Sequence, residues 1–443
     1  MSQDLSLLAD LVAAAKRAGA DAADALLARG TSLSVAQRLG KTEHVERSEG
    51  VDLGLRVFIG KRQAIVSSSD PDPKSFEALV TRAIAMAKVV PEDPFCGLAE
   101  GPFALDIPDY ELADSAEPDT AALIARAAAA EGAALAVAGV SNSEGADAGY
   151  GRTAIAIVAS NGFAGAYART SHSISATALA GSGTGMERDY DYSSAVFLED
   201  LEDPELIGRR AGEQAVRRLN PTRPKTAKLP VVYAPRIAGS LLGHLSGAIN
   251  GASIARGTSF LRDKLGQQVL AKGLTVHDDP TRRRGLRSRP FDAEGTRGVA
   301  RKLVDDGVLT TWVMDTRSAR QLGMKSTGHA SRGTSGPPSP ATTNLWLEAG
   351  SLTPEALMAD IKEGLYVTEM IGTSLSATTG DYSRGAAGFM IRDGQLAEAV
   401  SEITVAGNIK DVFLNMTPAN DLAFRRGTDA PTVRVEGLTL AGS

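Results

Sequence analysis

The chain has 443 residues, a formal net charge of −6 and one cysteine. This excludes an internal disulfide framework, a multi-cysteine zinc site and a generally nucleic-acid-binding surface. Its 43% hydrophobic and 23% charged residues are those of a folded globular chain long enough for two or three domains. No apolar run approaches the ~20 residues of a membrane span, and the start MSQDLSLLADLVAAAKRAGA lacks the basic n-region of a signal peptide, so a cytoplasmic protein is expected.

In the first helix Leu5, Leu8, Val12 and Ala15 recur at helical spacing and Gly19 marks its end. Short segments follow, roughly ALLARG, LSVAQRLG, TEHVERS, VDLGLRVFIG and QAIVSSS, broken by Gly or charged residues. They predict an antiparallel meander with a turn at Gly60-Lys61. Asp70 and Ser75 offer N-caps for a second helix, SFEALVTRAIAMAKVV. This makes an N-terminal α+β unit over 1–90. Acids and prolines then accumulate with no basic residue between Lys88 and Arg126, the composition of a linker, 91–120, lying over the surface.

A central α+β unit over 121–226 follows: an alanine-rich helix, strands meeting at Asn161-Gly162, and a closing helix near PELIGRRAGEQAVRRLN. Asn-Gly between alternating strands is a strong hairpin signal because both residues tolerate positive φ. The prolines of NPTRPKTAKLP mark the next boundary, and Asp306-Gly307 and Asp393-Gly394 predict two further hairpins in a β-rich unit over 227–443. The fold class expected is α+β with mostly antiparallel sheets and no regular βαβ alternation.

The stretch PRIAGSLLGHLSGAIN, 235–250, reads as a helix with Pro235 in its first turn and an apolar stripe of Ile237, Leu241, Leu245 and Ile249. Gly239, Gly243, Gly247 and Gly251 make a second stripe. Each interior glycine costs about 0.5–1 kcal/mol against alanine, so the stripe predicts close packing against another element; the functional reading is a bare surface for a substrate or metal. A zinc-peptidase helix needs paired histidines and a glutamate, whereas His244 has Ser240, Gly247 and Ala248 as its helical neighbours and 235–251 contains no carboxylate. His44, His172, His277 and His329 stand singly in other segments.

Other signatures fail on spacing. GHLSG is not a nucleophile elbow, GLRVFIGKR is not a Walker A loop, and GSGTG, 181–185, lacks the third glycine of a dinucleotide fingerprint. Cys96 has no neighbouring base in sequence, and Asp315 and Asp381 lack the spacing of paired catalytic carboxylates. From Asp278 to Lys302 eight basic residues face four acids. With Phe291 the only aromatic there, a solvated loop or an acid-complementary protein interface is expected rather than a nucleic-acid site.

RGTSFLRDKLGQQV (256–269), FDAEGTRGVARKLVDDGVLTTWVMDTRSARQLG (291–323), STGHA (326–330) and TTGDYSRGAAGFMIRDGQL (378–396) together resemble the TldD/PmbA family. NSEGADAGYG and ASNGFAG in the central unit fit the same pattern. The resemblance implies a cytoplasmic peptidase pairing a zinc-bearing TldD subunit with a zinc-free TldE (PmbA) subunit, under an older label of modulator of DNA gyrase. In the TldD type an H-E-x-x-x-H helix precedes the R-x-G-T-S segment and a C-terminal cysteine completes the ligands. Here Gly243, His244 and Ala248 occupy those helix positions, and the tail LAFRRGTDAPTVRVEGLTLAGS has no cysteine.

The chain therefore resembles the TldE type: no cofactor of its own, zinc in a TldD-type partner, assembly as a heterodimer with that partner or as a homodimer, a peptide or unfolded polypeptide as substrate, and neither nucleic acid nor membrane. Glycine-rich 380–389 would let a peptide approach the backbone, which makes Gly380, Asp381, Tyr382, Ser383 and Gly385 the candidate substrate contacts; a bulged strand is the structural alternative. The rival function is a regulatory protein acting on gyrase or DNA through the arginines of 282–289.

Overall fold

The structure, a computed structural model, describes residues 2–442. Helix α1 (Ser2–Arg17) leads into β1 (Ala22–Arg38), β2 (Lys41–Ile59) and β3 (Arg62–Ser68), followed by α2 (Phe76–Val89) and α3 (Thr120–Leu135). Next come β4 (Val140–Ala159), β5 (Ala164–Ala180), β6 (Glu187–Ala195) and α4 (Pro204–Arg217). The five short segments expected between 25 and 68 are three strands. Gly30 and Gly50 do not break the chain; they sit opposite each other inside the β1–β2 ladder. The turn falls instead at Leu39-Gly40, both with positive φ, while the turn at Gly60-Lys61 stands as expected. Pairing along a long ladder overrides the local weakness of glycine.

The stretches drawn as separate units, 1–90 and 121–226, share one antiparallel sheet in the order β3-β2-β1-β4-β5-β6. The join is β1 against β4, in register from Asp24↔Ala159 to Gln37↔Ala146. Alternation along β1 then divides the molecule. Ala23, Ala25 and Leu27 pack with α1 and α2, and Leu33 and Val35, on the same face, pack with α3 and α4. Leu26 and Ala28 point the other way and meet Phe163 and Phe291, which carries the C-terminal part of the chain onto that face.

Capping of α2 differs from expectation. The Ser75 side chain makes no cap hydrogen bond, and Asp72 rather than Asp70 caps the short turn before it, accepting from the Lys74 backbone N–H. At the contact of α3 and α4, a Cβ added to Gly208 would lie 1.8 Å from the Ala130 carbonyl oxygen, so these helices meet backbone to backbone. Gly208→Ala should therefore destabilise by about 1–3 kcal/mol through overpacking, despite a better helix propensity. Urea unfolding measures this, and a variant more stable than the parent would refute the contact.

After β7 (Ala227–Tyr233) and α5 (Pro235–Ala248), the C-terminal part closes a barrel. Strand Gln395–Asn408 pairs with Asp381–Arg392 on one side and Val433–Ala441 on the other, and the ring is completed through β7 and Glu363–Leu375. Closure removes the edges. The hairpin turns at Asp306-Gly307 and Asp393-Gly394 are present, all four residues at positive φ. Among the described residues no helix is long and apolar enough to cross a membrane.

Candidate functional site

Helix α5 follows β7 through Ala234, with Pro235 in its first turn. Ala238, Leu241, Leu242, Leu245 and Ala248 bury its inner face in the main core. The glycine stripe does not pack as one surface. A Cβ on Gly239 would meet the Thr428 carbonyl oxygen at 2.7 Å and one on Gly251 the Met314 side chain at 2.7 Å, whereas Gly243 and Gly247 face open space. The stripe is tight at its ends and bare in the middle, around the position where the zinc-bearing type is expected to hold metal.

His244 is half-buried and sets its ring edge-on to Tyr382, with centroids 5.8 Å apart. Burial, then the charge of Arg384, lowers its pKa below the ordinary 6.5, so the ring is neutral at neutral pH. Its Nε2 has no hydrogen-bond partner among the described residues. Tyr233, beside Tyr382, is wholly buried, and burial together with neighbouring Tyr382 pushes its phenol well above the usual range. Gly243 has no side chain and Ala248 offers only a methyl, itself 6% exposed. Among the described residues, no three His, Cys, Asp or Glu side chains come together in a way that could hold a metal.

The fold brings together helix α5 and the glycine-rich strand, His244 against Tyr382. Asp381 and Ser383 alternate outward and are exposed, while Tyr382 is buried. Asp381 accepts a hydrogen bond from the Thr379 hydroxyl at 2.6 Å. Gly380 is buried with φ 85°, close to Asn408, and Gly385 lies beside Ile371. The strand is paired on both sides, Ser383 opposing Ser374 and Ala406. Its backbone therefore offers no free edge, and a ligand there could be met only by outward side chains.

Two residues of the arginine-rich stretch are paired with acids of the same chain. Arg283 and Arg284 both pair with Glu111 of the acidic segment, and Arg284 also reaches Glu199 at 2.6 Å and Asp200 at 3.0 Å. Arg282 lies over the Phe424 ring at 3.4 Å. Where a solvated loop or an interface with another protein was expected, the acids that meet Arg283 and Arg284 belong to the same chain. Asp315 accepts from Ser318 N in a capping box, a structural role. Cys96 is buried, and burial followed by Asp93 raises its pKa, which suits an unreactive thiol.

A cluster that the sequence did not reveal lies between the large sheet and the C-terminal part. Asp24 on β1 and Arg56 on β2 are directly opposed, and Arg56 Nε donates to Asp24 Oδ2 at 2.9 Å. Arg332 arrives from the C-terminal part, its Nη1 2.6 Å from Asp24 Oδ1, and both side chains are almost wholly buried. Burial pushes the Asp24 carboxyl up, but the Arg332 and Arg56 charges outweigh it and hold the group below its ordinary value. Nearby, Glu294 accepts from the Thr316 backbone N–H at 2.9 Å and hydroxyl at 2.6 Å. Burial, then Asp292, raises it to about 7. A cavity of ≈ 530 Å³ opens beside this cluster, with Arg169, Arg287, Arg289 and Arg332 in its wall. Cross-strand alternation at Asp24 and Arg56 was the only available signal, and it names no partner.

These features define an α+β protein whose helix α5 packs into the C-terminal core beside the glycine-rich strand, with no cluster of metal-ligating side chains among the described residues. Family models for the PmbA/TldA metallopeptidase domain 1, central domain and C-terminal domain match residues 23–87, 113–219 and 226–442. Metalloprotease PmbA of Escherichia coli O157:H7 is 38% identical over 95% of this chain and 92% of its own length. A PmbA homolog of Haemophilus influenzae is 34% identical over 97% and 94%. The chain belongs to the PmbA/TldA metallopeptidase family. Among solved structures, a candidate modulator of DNA gyrase from Bacteroides thetaiotaomicron superposes with a TM-score of 0.91 at 27% identity, covering 100% of both chains. TldE from Thermococcus kodakarensis gives 0.88 at 20% identity over 98% of this chain and 100% of that one, a likeness of fold.

Proposed function

We propose that this chain acts by binding rather than by catalysis, as the metal-free, TldE-type subunit of a two-subunit peptidase whose zinc sits in a TldD-type partner. One observation carries the reading: where ligands and base would stand, Gly243 and Ala248 have no lone pairs to give and His244 is turned onto Tyr382. A divalent cation needs several donors at once. In this reading the bare face at Gly243 and Gly247 admits the partner or its peptide, and Asp381, Ser383 and Gly385 border the path. The test is reconstitution. The purified chain should hold no stoichiometric zinc and cleave no unfolded peptide, and adding a TldD-type partner should produce chelator-sensitive cleavage. Chelator-sensitive cleavage by the chain alone would refute it.

A second reading is a regulatory protein that modulates DNA gyrase, supported by the description of the Bacteroides thetaiotaomicron relative. The arginines 282–284 are engaged by acids and aromatics of the same chain, so this reading rests on a protein contact with gyrase rather than on DNA binding. A change in supercoiling rate when the chain is added to gyrase supports it; an unchanged rate with demonstrable peptidase reconstitution rejects it.

A further inference from the structure

A second cavity, of ≈ 310 Å³, lies where β6, α4 and the start of α5 meet the strand Asp381–Arg392 and the segment 423–430. Ligand pockets run from about 300 to 1,000 Å³, so this one suits a small molecule. Five arginines line it, Arg210, Arg217, Arg236, Arg425 and Arg426, against three aspartates, Asp189, Asp191 and Asp429.

The acids are already engaged. Asp189 Oδ1 accepts from Arg236 Nη1 at 2.6 Å, and Arg210 Nε lies 3.1 Å from Asp191 Oδ2. Arg425 reaches Glu202 at 2.6 Å. Asp429 accepts from the backbone N–H groups of Arg425, Arg426 and Gly427 at 3.0, 2.9 and 3.1 Å.

Two guanidiniums are left over. Arg217, the last residue of α4, is exposed and has no acid partner among the described residues; its Cζ stands 5.0 Å from the Phe389 ring centroid. Arg426 lies over Tyr192, 5.2 Å to the centroid, and donates to the Tyr192 hydroxyl and, at 3.1 Å, to the Pro235 carbonyl. It too has no acid side chain as partner among the described residues. Packing on a ring fixes a guanidinium by its face and leaves in-plane N–H donors unspent. A carboxylate accepts from such donors in the same plane.

The rest of the wall agrees. Ala234, Pro235 and Arg236, at the first turn of α5, belong to it, and no side chain caps that helix, so the positive end of its dipole adds to the field. Phe389, Leu396, Ala423 and Ala430 supply apolar surface. Spare cations beside apolar surface suit an acid with a hydrocarbon body better than a bare inorganic anion.

We propose that this cavity is a binding site for a small carboxylate with an apolar side group, held by Arg217 and Arg426 at the start of α5. A free carboxylic acid and the C-terminal end of a short peptide share that chemistry. The site needs neither the partner nor the zinc of the functional reading above, so the two stand or fall separately.

Calorimetric titration of the full chain tests it. N-acetyl-leucine should bind, and its uncharged amide should bind about tenfold or more weakly, the worth of a hydrogen bond to a charged group. Arg217→Gln should weaken the acid by a similar factor, and Arg217→Lys, which keeps the charge but not the planar fork, by less. Arg217 is exposed at a helix end, so these variants should fold as the parent does, which urea unfolding checks. Arg283→Gln, outside the cavity, should change nothing. N-acetyl-alanyl-leucine binding more tightly than N-acetyl-leucine identifies a peptide end as the source, and binding no tighter identifies a free acid. No binding of the acid at millimolar concentration, equal binding of acid and amide, inorganic phosphate binding as tightly as the acid, or indifference to Arg217→Gln would each overturn the proposal.

Discussion

Replacing Asp24 by Ala is expected to destabilise the protein by about 3–5 kcal/mol, the cost of breaking a buried ion pair and leaving its partner charge uncompensated. Two partners are stranded here rather than one: Arg56 across the strand pair, and Arg332 from the C-terminal part. Neither can reach water, so each keeps its charge in a poor solvent. The carboxyl's folded pKa lies below its unfolded value of 3.8. Its contribution is therefore fully present above that value and is lost as pH falls through the folded pKa. The deficit of Asp24→Ala, measured by urea unfolding, should be full at pH 7 and shrink in strong acid. A loss no larger than that of an exposed aspartate such as Asp52 would refute the triad.

Glu294→Gln should act in the opposite direction. Glu294 is raised to about 7 by burial and by Asp292, against an ordinary 4.5. Between those values the folded protein holds a proton that the unfolded chain has released. Stability therefore falls as pH rises from about 4.5 to about 7 and stays at the lower level above it. A glutamine carries no charge to bury and still accepts from Thr316. The variant should gain up to about 3 kcal/mol at pH 8 and almost nothing below pH 5. Unfolding curves at the two pH values decide this, and an equal difference at both would exclude titration of Glu294 as the cause. The two sites also communicate, since Arg56 and Arg332 both feel the Glu294 charge. In Asp24→Ala the stranded guanidiniums should draw Glu294 toward ionisation, so the double variant should be less stable than the sum of the single effects.

The candidate site was partly legible. Gly243, His244 and Ala248 could be placed on a helix from residue type and spacing, whereas reading them as former ligand positions rests on the family resemblance. The bare middle of the glycine stripe could not be foreseen, because periodicity gives the face but not what stands opposite. Nor could the contact of His244 with Tyr382, which lies 138 positions away in the sequence. The candidate peptide contacts at 380–385 illustrate the same gap. Glycine content suggested an approachable backbone, yet strands on both flanks occupy its hydrogen bonds.

What the sequence determined by itself were local quantities: helices from the period of their apolar residues, and hairpins at Asn161-Gly162, Asp306-Gly307 and Asp393-Gly394 from residues that tolerate positive φ. These depend on neighbours within a few positions. Tertiary structure alone decided that β1 and β4 merge the first two units into one sheet, that the C-terminal strands close on themselves, and that Asp24, Arg56 and Arg332 meet. Such pairings join segments far apart in the chain, where the energy belongs to contacts between surfaces and no single stretch encodes its partner.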